Sequence, residues 1–257
     1  MTRIPNLLPT AILLALVGCC TAPPPARAPD HVRLAADLAD KTVELLELPD
    51  PEGDMEKCEA GDVQCIIAAA MEGTEPHVYC SGEWVSADQI LTANHCMEDA
   101  KLGAEKLYAV QDDLVMVKGE ATLGHHVAHI AARDALHDLA LLTVVGIPPA
   151  HTIAVLAQEV VRPGQDAYAM GAPLGMGWSY SAGQVAQVRW IEIDDQPLWY
   201  IQATTPISPG SSGGGLYDEA GLLIGVCKAN APRGENLNLF VHRDDIRVFL
   251  QGAKVIP

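Results

Sequence analysis

The chain has few bulky aromatics: two Phe in 257 residues, and 5% aromatics in all. A core for this length must therefore be built from Val, Ile, Leu and Ala. Positive charge is also scarce. Sixteen Lys and Arg stand against 33 Asp and Glu, a formal charge of −17. Phosphate backbones are gripped by clustered Lys and Arg, so nucleic acid is excluded as a partner class. A polybasic membrane patch is excluded on the same ground. The apolar run at residues 11–17 falls well short of the roughly 20 residues that a stable membrane span requires. No internal repeat at solenoid periods is present.

What the chain does have is punctuation. Twenty-two Gly and 18 Pro imply many turns. Residues 1–20 carry Arg3, an apolar stretch and small residues, the pattern of a secretory signal. Leu16-Val17-Gly18-Cys19 resembles a bacterial lipobox. That resemblance implies a signal peptide at 1–19, lipidation of Cys19, and a lipid anchor holding the chain at the bacterial envelope, with the outer membrane favoured because residue 20 is not Asp. An ordinary cleaved signal ending at Ala26-Arg27-Ala28 is the alternative. Either way the chain is exported to a compartment where disulfides persist.

Residues 20–30 are a Pro-rich tether. Asp30 can N-cap a helix reaching about residue 48, with Leu34, Leu38 and Leu45 along one stripe. Residues 31–74 are thus expected to form a helical N-terminal extension, with a second short helix at 66–71. Its stripe packs on the main domain or a neighbour; a regulatory pseudo-substrate role is the alternative. Cys58 and Cys65 are expected to pair, with free thiols the alternative. From residue 75 the texture becomes short strand-like runs about ten residues apart, separated by Gly, Pro and Asp. That spacing argues for an all-β sandwich or barrels. Residues 146–158 read as a connector and 244–251 as a closing helix.

Three motifs carry chemistry. In Pro209-Gly210-Ser211-Ser212-Gly213-Gly214-Gly215, glycines around a serine let the backbone fold tightly and aim its amides at one point, as an oxyanion hole requires. A hydroxyl needs a base, and His95 in Thr92-Ala93-Asn94-His95-Cys96 follows a strand-like run. Asp138 opens Asp138-Leu139-Ala140-Leu141-Leu142, where a carboxylate can be buried and aimed at an imidazole. Asp134 is a rival without a following apolar strand. Together the three motifs resemble the trypsin-like serine proteases, and Met170-Gly171-Ala172-Pro173-Leu174-Gly175 with Ser181-Ala182-Gly183-Gln184-Val185 is similar to the second-barrel hairpin of the HtrA branch. The resemblance covers about residues 75–251, and no segment of PDZ size follows.

The resemblance implies two six-stranded antiparallel barrels over 75–252, barrel one at 75–145 and barrel two at 160–241, ending in a C-terminal helix. It implies a catalytic set of His95, Asp138 and Ser212, with the amides of Gly210 and Ser212 as oxyanion hole. It implies a Cys80–Cys96 disulfide and hydrolysis of polypeptides through an acyl-enzyme, without cofactor. By alignment Pro206, Ile207, Val226, Cys227, Lys228, Ala229 and Asn230 lie near the specificity pocket. Pro206 offers no carboxylate to a basic side chain, so a preference for small or medium apolar residues is expected. Cys227 is alternatively a buried core thiol. Ser211 cannot pair with a new N-terminal amine, so no activating cleavage is expected. His125, His126 and His129 lack a completed ligand set, and the acidic run at 50–59 lacks a calcium-loop register, so no metal is expected. Two rivals use the same scaffold: a catalytically silent binding or holdase lipoprotein, and an esterase or acyl transferase.

Overall fold

The computed structural model describes residues 30–47, 77–97, 108–117, 120–144, 151–193, 195–230 and 237–256. The expected signal, Cys19, the tether to residue 29, Cys58, Cys65 and the 66–71 helix lie outside the described residues.

Helix α1 (His31–Ala39) begins at Asp30, whose carboxylate accepts from the Arg33 amide at 3.3 Å. Leu34 and Leu38, four apart, are buried. The expected helix to residue 48 is corrected here: α1 ends at Ala39, and Thr42–Glu47 is strand β1. The β-branched Thr42 and Val43 disfavour helix, and Val43 and Leu45 alternate into the barrel-one core. The β1 backbone pairs with β2 (His77–Trp84) and β4 (Tyr108–Val117), capping two edges that would otherwise stay open. Barrel one therefore draws its sixth strand from a segment well before residue 75.

The other strands of that barrel are β3 (Gln89–Ala93), β5 (Glu120–Asp134) and β6 (Leu139–Val144), closed in the order β1-β2-β3-β6-β5-β4. The β3 and β6 runs are apolar on both faces for a physical reason. Ile90, Ala140 and Leu142 fill the barrel-one interior, whereas Leu91, Leu139 and Leu141 join a cluster between the barrels. His125, His126 and His129 all fall within β5.

Barrel two comprises β7 (Asp166–Gly171), β8 (Ser179–Ile193), β9 (Gln196–Ala203), β10 (Gly215–Tyr217), β11 (Leu223–Asn230) and β12 (Asn238–His242), closed as β10-β11-β12-β9-β8-β7. Its interior is lined by Ala167, Ala169, Val185, Ile201, Ala203, Leu216 and Phe240, among others. Helix α2 (Arg243–Gly252) buries Ile246 and Leu250. It packs in the inter-barrel cluster with Leu34 and Leu38 of α1, Tyr168, Met170, Tyr200 and Tyr217. The connector ties both barrels, through Ala154 N to Trp84 O (2.7 Å) and Ala157 N to Leu223 O (3.0 Å).

Candidate active site

The β3–β6 register pairs Ala93 with Leu139. Antiparallel pairing then sets the residues just after β3 beside those just before β6. His95 lies in the 3-10 turn Asn94–Met97 that follows β3, and Asp138 immediately precedes β6. Asp138 has φ of 60°, in the left-handed region that costs a residue with a Cβ of order 1 kcal/mol. This conformation turns the carboxylate back across the strand ends. Its Oδ1 accepts from the His95 amide at 2.8 Å, and its Oδ2 lies 3.0 Å from His95 Nδ1. Nδ1 is therefore the protonated ring nitrogen, and Nε2 carries the lone pair. Asp134, the rival, is committed elsewhere: its Oδ2 lies 2.7 Å from His137 Nδ1.

The Asp138 side chain is only 7% exposed, so ionising it there needs compensation. Burial pushes its pKa up. The His95 hydrogen bond, the His95 charge and the Lys228 ammonium more than reverse that, and the carboxyl titrates below its ordinary value. The Lys228 contact, Nζ to Oδ2 at 3.1 Å, was not expected.

The serine loop leaves barrel two and is stapled onto barrel one. Ser81 on β2 does most of this. Its amide donates to Ser212 O at 2.7 Å, and its Oγ donates to Gly210 O at 2.8 Å while accepting from the Ala172 amide at 2.9 Å. Nothing in the sequence marked Ser81 beyond its place next to Cys80. Gly213 has φ of 84°, and a Cβ there would sit 2.2 Å from both Ser81 O and Thr92 Oγ1. Only glycine lets the loop approach the β2–β3 backbone this closely. The Cys80–Cys96 disulfide forms, and Cys96 Sγ lies 3.9 Å from Ser212 O. The serine loop thus abuts the residue next to His95. A ring nitrogen of His95 and both sulfurs lie within 4.8 Å of one another. The sulfurs are bonded to each other and supply no thiolate for a metal.

Residues 208–211 form a tight turn closed by Ser211 N to Ser208 O at 2.9 Å, with Gly210 at φ 97°. The Pro209 carbonyl accepts from Leu174 N at 2.7 Å, and the Ser211 carbonyl accepts from Gly214 N at 3.0 Å. In a trans peptide the N–H points opposite to the C=O. The amides of Gly210 and Ser212 therefore face away from these anchors, and neither has an acceptor among the described residues. No hydrogen bond joins Ser212 Oγ to His95 among the described residues. Such contacts are often long without substrate and tighten when one binds.

Beside the loop is a cavity of about 220 Å³ lined by Met170, Pro206, Ile207, Ser208, Ser211 and Cys227, among others. Three of the seven expected pocket residues thus face it. Val226 is instead wholly buried in the inter-barrel cluster, because it points to the other face of β11 from Cys227. Lys228 turns to Asp138. Ala229 and Asn230 pair with Leu239 and Asn238 through their backbones, and their side chains lie outside the description. Cys227 is a buried free thiol, and burial pushes its pKa far up, so it stays protonated.

Beneath the loop, Glu83 of β2 is wholly buried and accepts from the Gly215 amide at 2.5 Å and from Tyr217 O–H, and its Oε1 lies 3.1 Å from Thr42 Oγ1. Sequence reading missed it, since an isolated Glu in a strand gives no signal of burial.

Comparison with known proteins gives a consistent picture. The chain is 30% identical over 149 residues to a "Probable periplasmic serine endoprotease DegP-like" of Pseudomonas fluorescens, covering 57% of this chain and 28% of that relative. It is 27% identical over 179 residues to "Serine protease Do-like HtrB" of Bacillus subtilis, covering 65% of this chain and 36% of that relative. The chain thus spans about a third or less of these relatives. Among solved structures, a serine endoprotease from Yersinia pestis matches with TM-score 0.62 at 17% identity, covering 87% of this chain and 66% of that one. Deg5 matches with TM-score 0.59 at 21% identity, covering 85% and 90%. These likenesses establish the two-barrel fold. The trypsin-like peptidase domain family matches residues 80–226, more than half of the sequence, and on that match the chain belongs to this family.

Proposed function

We propose that the chain is an exported serine endopeptidase in which Ser212 attacks the scissile carbonyl. The observation that carries this reading is the His95–Asp138 pair, Nδ1 held at 3.0 Å by a buried carboxylate, beside a serine loop stapled to barrel one. In this reading Nε2 of His95 takes the Ser212 proton and later returns it to the leaving amine. Asp138 holds the ring and stabilises the imidazolium. The unpartnered amides of Gly210 and Ser212 receive the developing oxyanion. Water then releases the acyl group. The cavity beside Ser211 takes the substrate side chain before the scissile bond. Its apolar wall of Met170, Pro206 and Ile207 favours small or medium apolar residues.

The names of the DegP-like relatives support a polypeptide substrate and export to the periplasm. The signal-like start and the lipobox resemblance extend that to a lipid anchor on Cys19. A Cys19→Ser variant then leaves the membrane fraction, and unchanged fractionation removes the anchor from the account.

The test of the enzyme is covalent labelling by a serine-directed phosphonate, with turnover of an apolar peptide substrate. Wild type labels on Ser212 and cleaves the peptide; Ser212→Ala does neither. A folded wild type that neither labels nor cleaves refutes the reading, and turnover of esters alone redirects it to an esterase.

A further inference from the structure

Asp138 has a second cationic partner besides His95. Lys228 sits on β11 of barrel two, and its Nζ reaches Asp138 Oδ2 at 3.1 Å, the same oxygen that faces His95 Nδ1 at 3.0 Å. The Lys228 side chain is 28% exposed and that of Asp138 7%, so the pair is shielded more than an ordinary surface ion pair. Nζ also lies 5.7 Å from the ring centroid of buried Tyr200, which gives the ammonium a fixed seat. The same strand braces the serine loop, through Gly213 N to Cys227 O at 2.9 Å and Cys227 N to Gly214 O at 2.8 Å. Lys228 thus links the acid of barrel one to the strand that holds the nucleophile loop of barrel two.

We propose that Lys228 is a positioning residue that fixes the Asp138 carboxylate toward His95 and, by taking up part of its charge, makes the imidazole a weaker base than the His–Asp pair alone would. The catalytic consequence rests on the peptidase reading above; the effect on the ring does not. With Oδ1 held by the His95 amide, Oδ2 held by the ammonium and the ring nitrogen 3.1 and 3.0 Å from the two oxygens, the carboxylate has little freedom to turn. A cation so close to Asp138 also repels the imidazolium that forms when His95 takes a proton, and lowers the counter-charge available to it.

Other charged groups surround the pair. Arg133 of β5 donates to Asn94 Oδ1 at 2.7 Å, Asp134 at the end of β5 pairs with His137 in the turn before β6, and Asp245 of α2 accepts from Trp199 N at 2.9 Å. The disulfide behind the ring and the Cys227 thiol carry no charge. Among the described residues Lys228 is the cation that touches the carboxylate.

The test compares full-length wild type, Lys228→Met and Lys228→Arg. The His95 ring is titrated by NMR, assigned against His95→Gln, and Ser212 phosphonate labelling is followed against pH. Lys228→Met moves the His95 titration midpoint and the rising limb of labelling upward by about one pH unit. Lys228→Arg, which keeps the charge, leaves the midpoint within about 0.3 unit of wild type. Lys228→Gln replaces Met if that variant does not fold. An unmoved midpoint in the neutral variants overturns the proposal, as does an Arg variant that shifts as far as Met. Absence of labelling at every pH in wild type overturns the peptidase reading instead, and the NMR titration still decides on Lys228.

Discussion

Glu83→Gln removes a titration that the fold has displaced far from its ordinary place. Burial pushes the Glu83 carboxyl up to about 8 from 4.5, against the opposing hydrogen bonds of Tyr217 and Gly215 and the Lys41 charge. Near neutral pH the folded chain therefore keeps a proton there that the unfolded chain releases. The Thr42 hydroxyl donates to Leu38 O at 2.9 Å, so its lone pairs are free to accept the Glu83 proton. The stabilisation is fully present below about pH 4.5, declines as pH rises, and is gone above about pH 8. At about 1.36 kcal/mol per unit the displacement has a ceiling of about 5 kcal/mol, and coupling to Tyr217 brings a realistic value to about 2–5 kcal/mol. The assay is urea unfolding of wild type and Glu83→Gln near pH 5, pH 8 and pH 9. Taking the difference between the chains cancels the general repulsion from the −17 formal charge. The wild-type advantage shrinks by about 2–3.5 kcal/mol from the lowest pH to pH 8 and changes by under about 0.5 kcal/mol beyond. Parallel curves for the two chains would show that Glu83 titrates at its ordinary place, and a difference that grows with pH would show that its carboxyl is displaced downward.

Four further outcomes follow from the geometry. Asp138→Asn leaves the ring seated but favours the wrong tautomer, and lowers the Ser212 labelling rate by about 10⁴-fold; a loss under tenfold contradicts the assigned role. Ser81→Ala strips two hydrogen bonds from the loop anchors and destabilises the fold by about 1–3 kcal/mol in urea unfolding, with slower labelling. Replacing Cys80 and Cys96 by Ser opens a loop of sequence separation 16 and costs about 2–4 kcal/mol in the same assay. Leu38→Ala empties a wholly buried site between α1 and the barrels and costs about 2–5 kcal/mol; a loss under 0.5 kcal/mol would show that α1 is only loosely docked.

The local signals that proved readable share a cause. The β3 and β6 runs are unusually apolar because each strand serves two cores, one inside barrel one and one between the barrels. Two such runs, one ending two residues before His95 and one starting just after Asp138, identify the strands whose pairing brings those side chains together. The glycines around Ser212 reflect a backbone approach that no Cβ survives. The segment Thr42–Glu47 was harder, because its apolar spacing fits either a helix stripe or an alternating strand. The unpaired edges of β2 and β4 decided it, and those are visible only in three dimensions. Lys228 escaped for a similar reason. Its position put it near the substrate cleft, but a long flexible side chain swings to the nearest buried counter-charge, here Asp138. Asp134 and Asp138 were separable in structure by their partners alone, His137 for one and His95 for the other.

The role of Ser212 is decided by a crystal structure of the full-length chain after reaction with a peptidyl phosphonate. The expected structure has a covalent bond from Ser212 Oγ to phosphorus. The phosphonyl oxygen then lies about 2.7–3.1 Å from the amides of Gly210 and Ser212, with the His95 ring still held by Asp138 and turned toward the adduct. An adduct on another residue, or an oxygen that neither amide reaches, contradicts it.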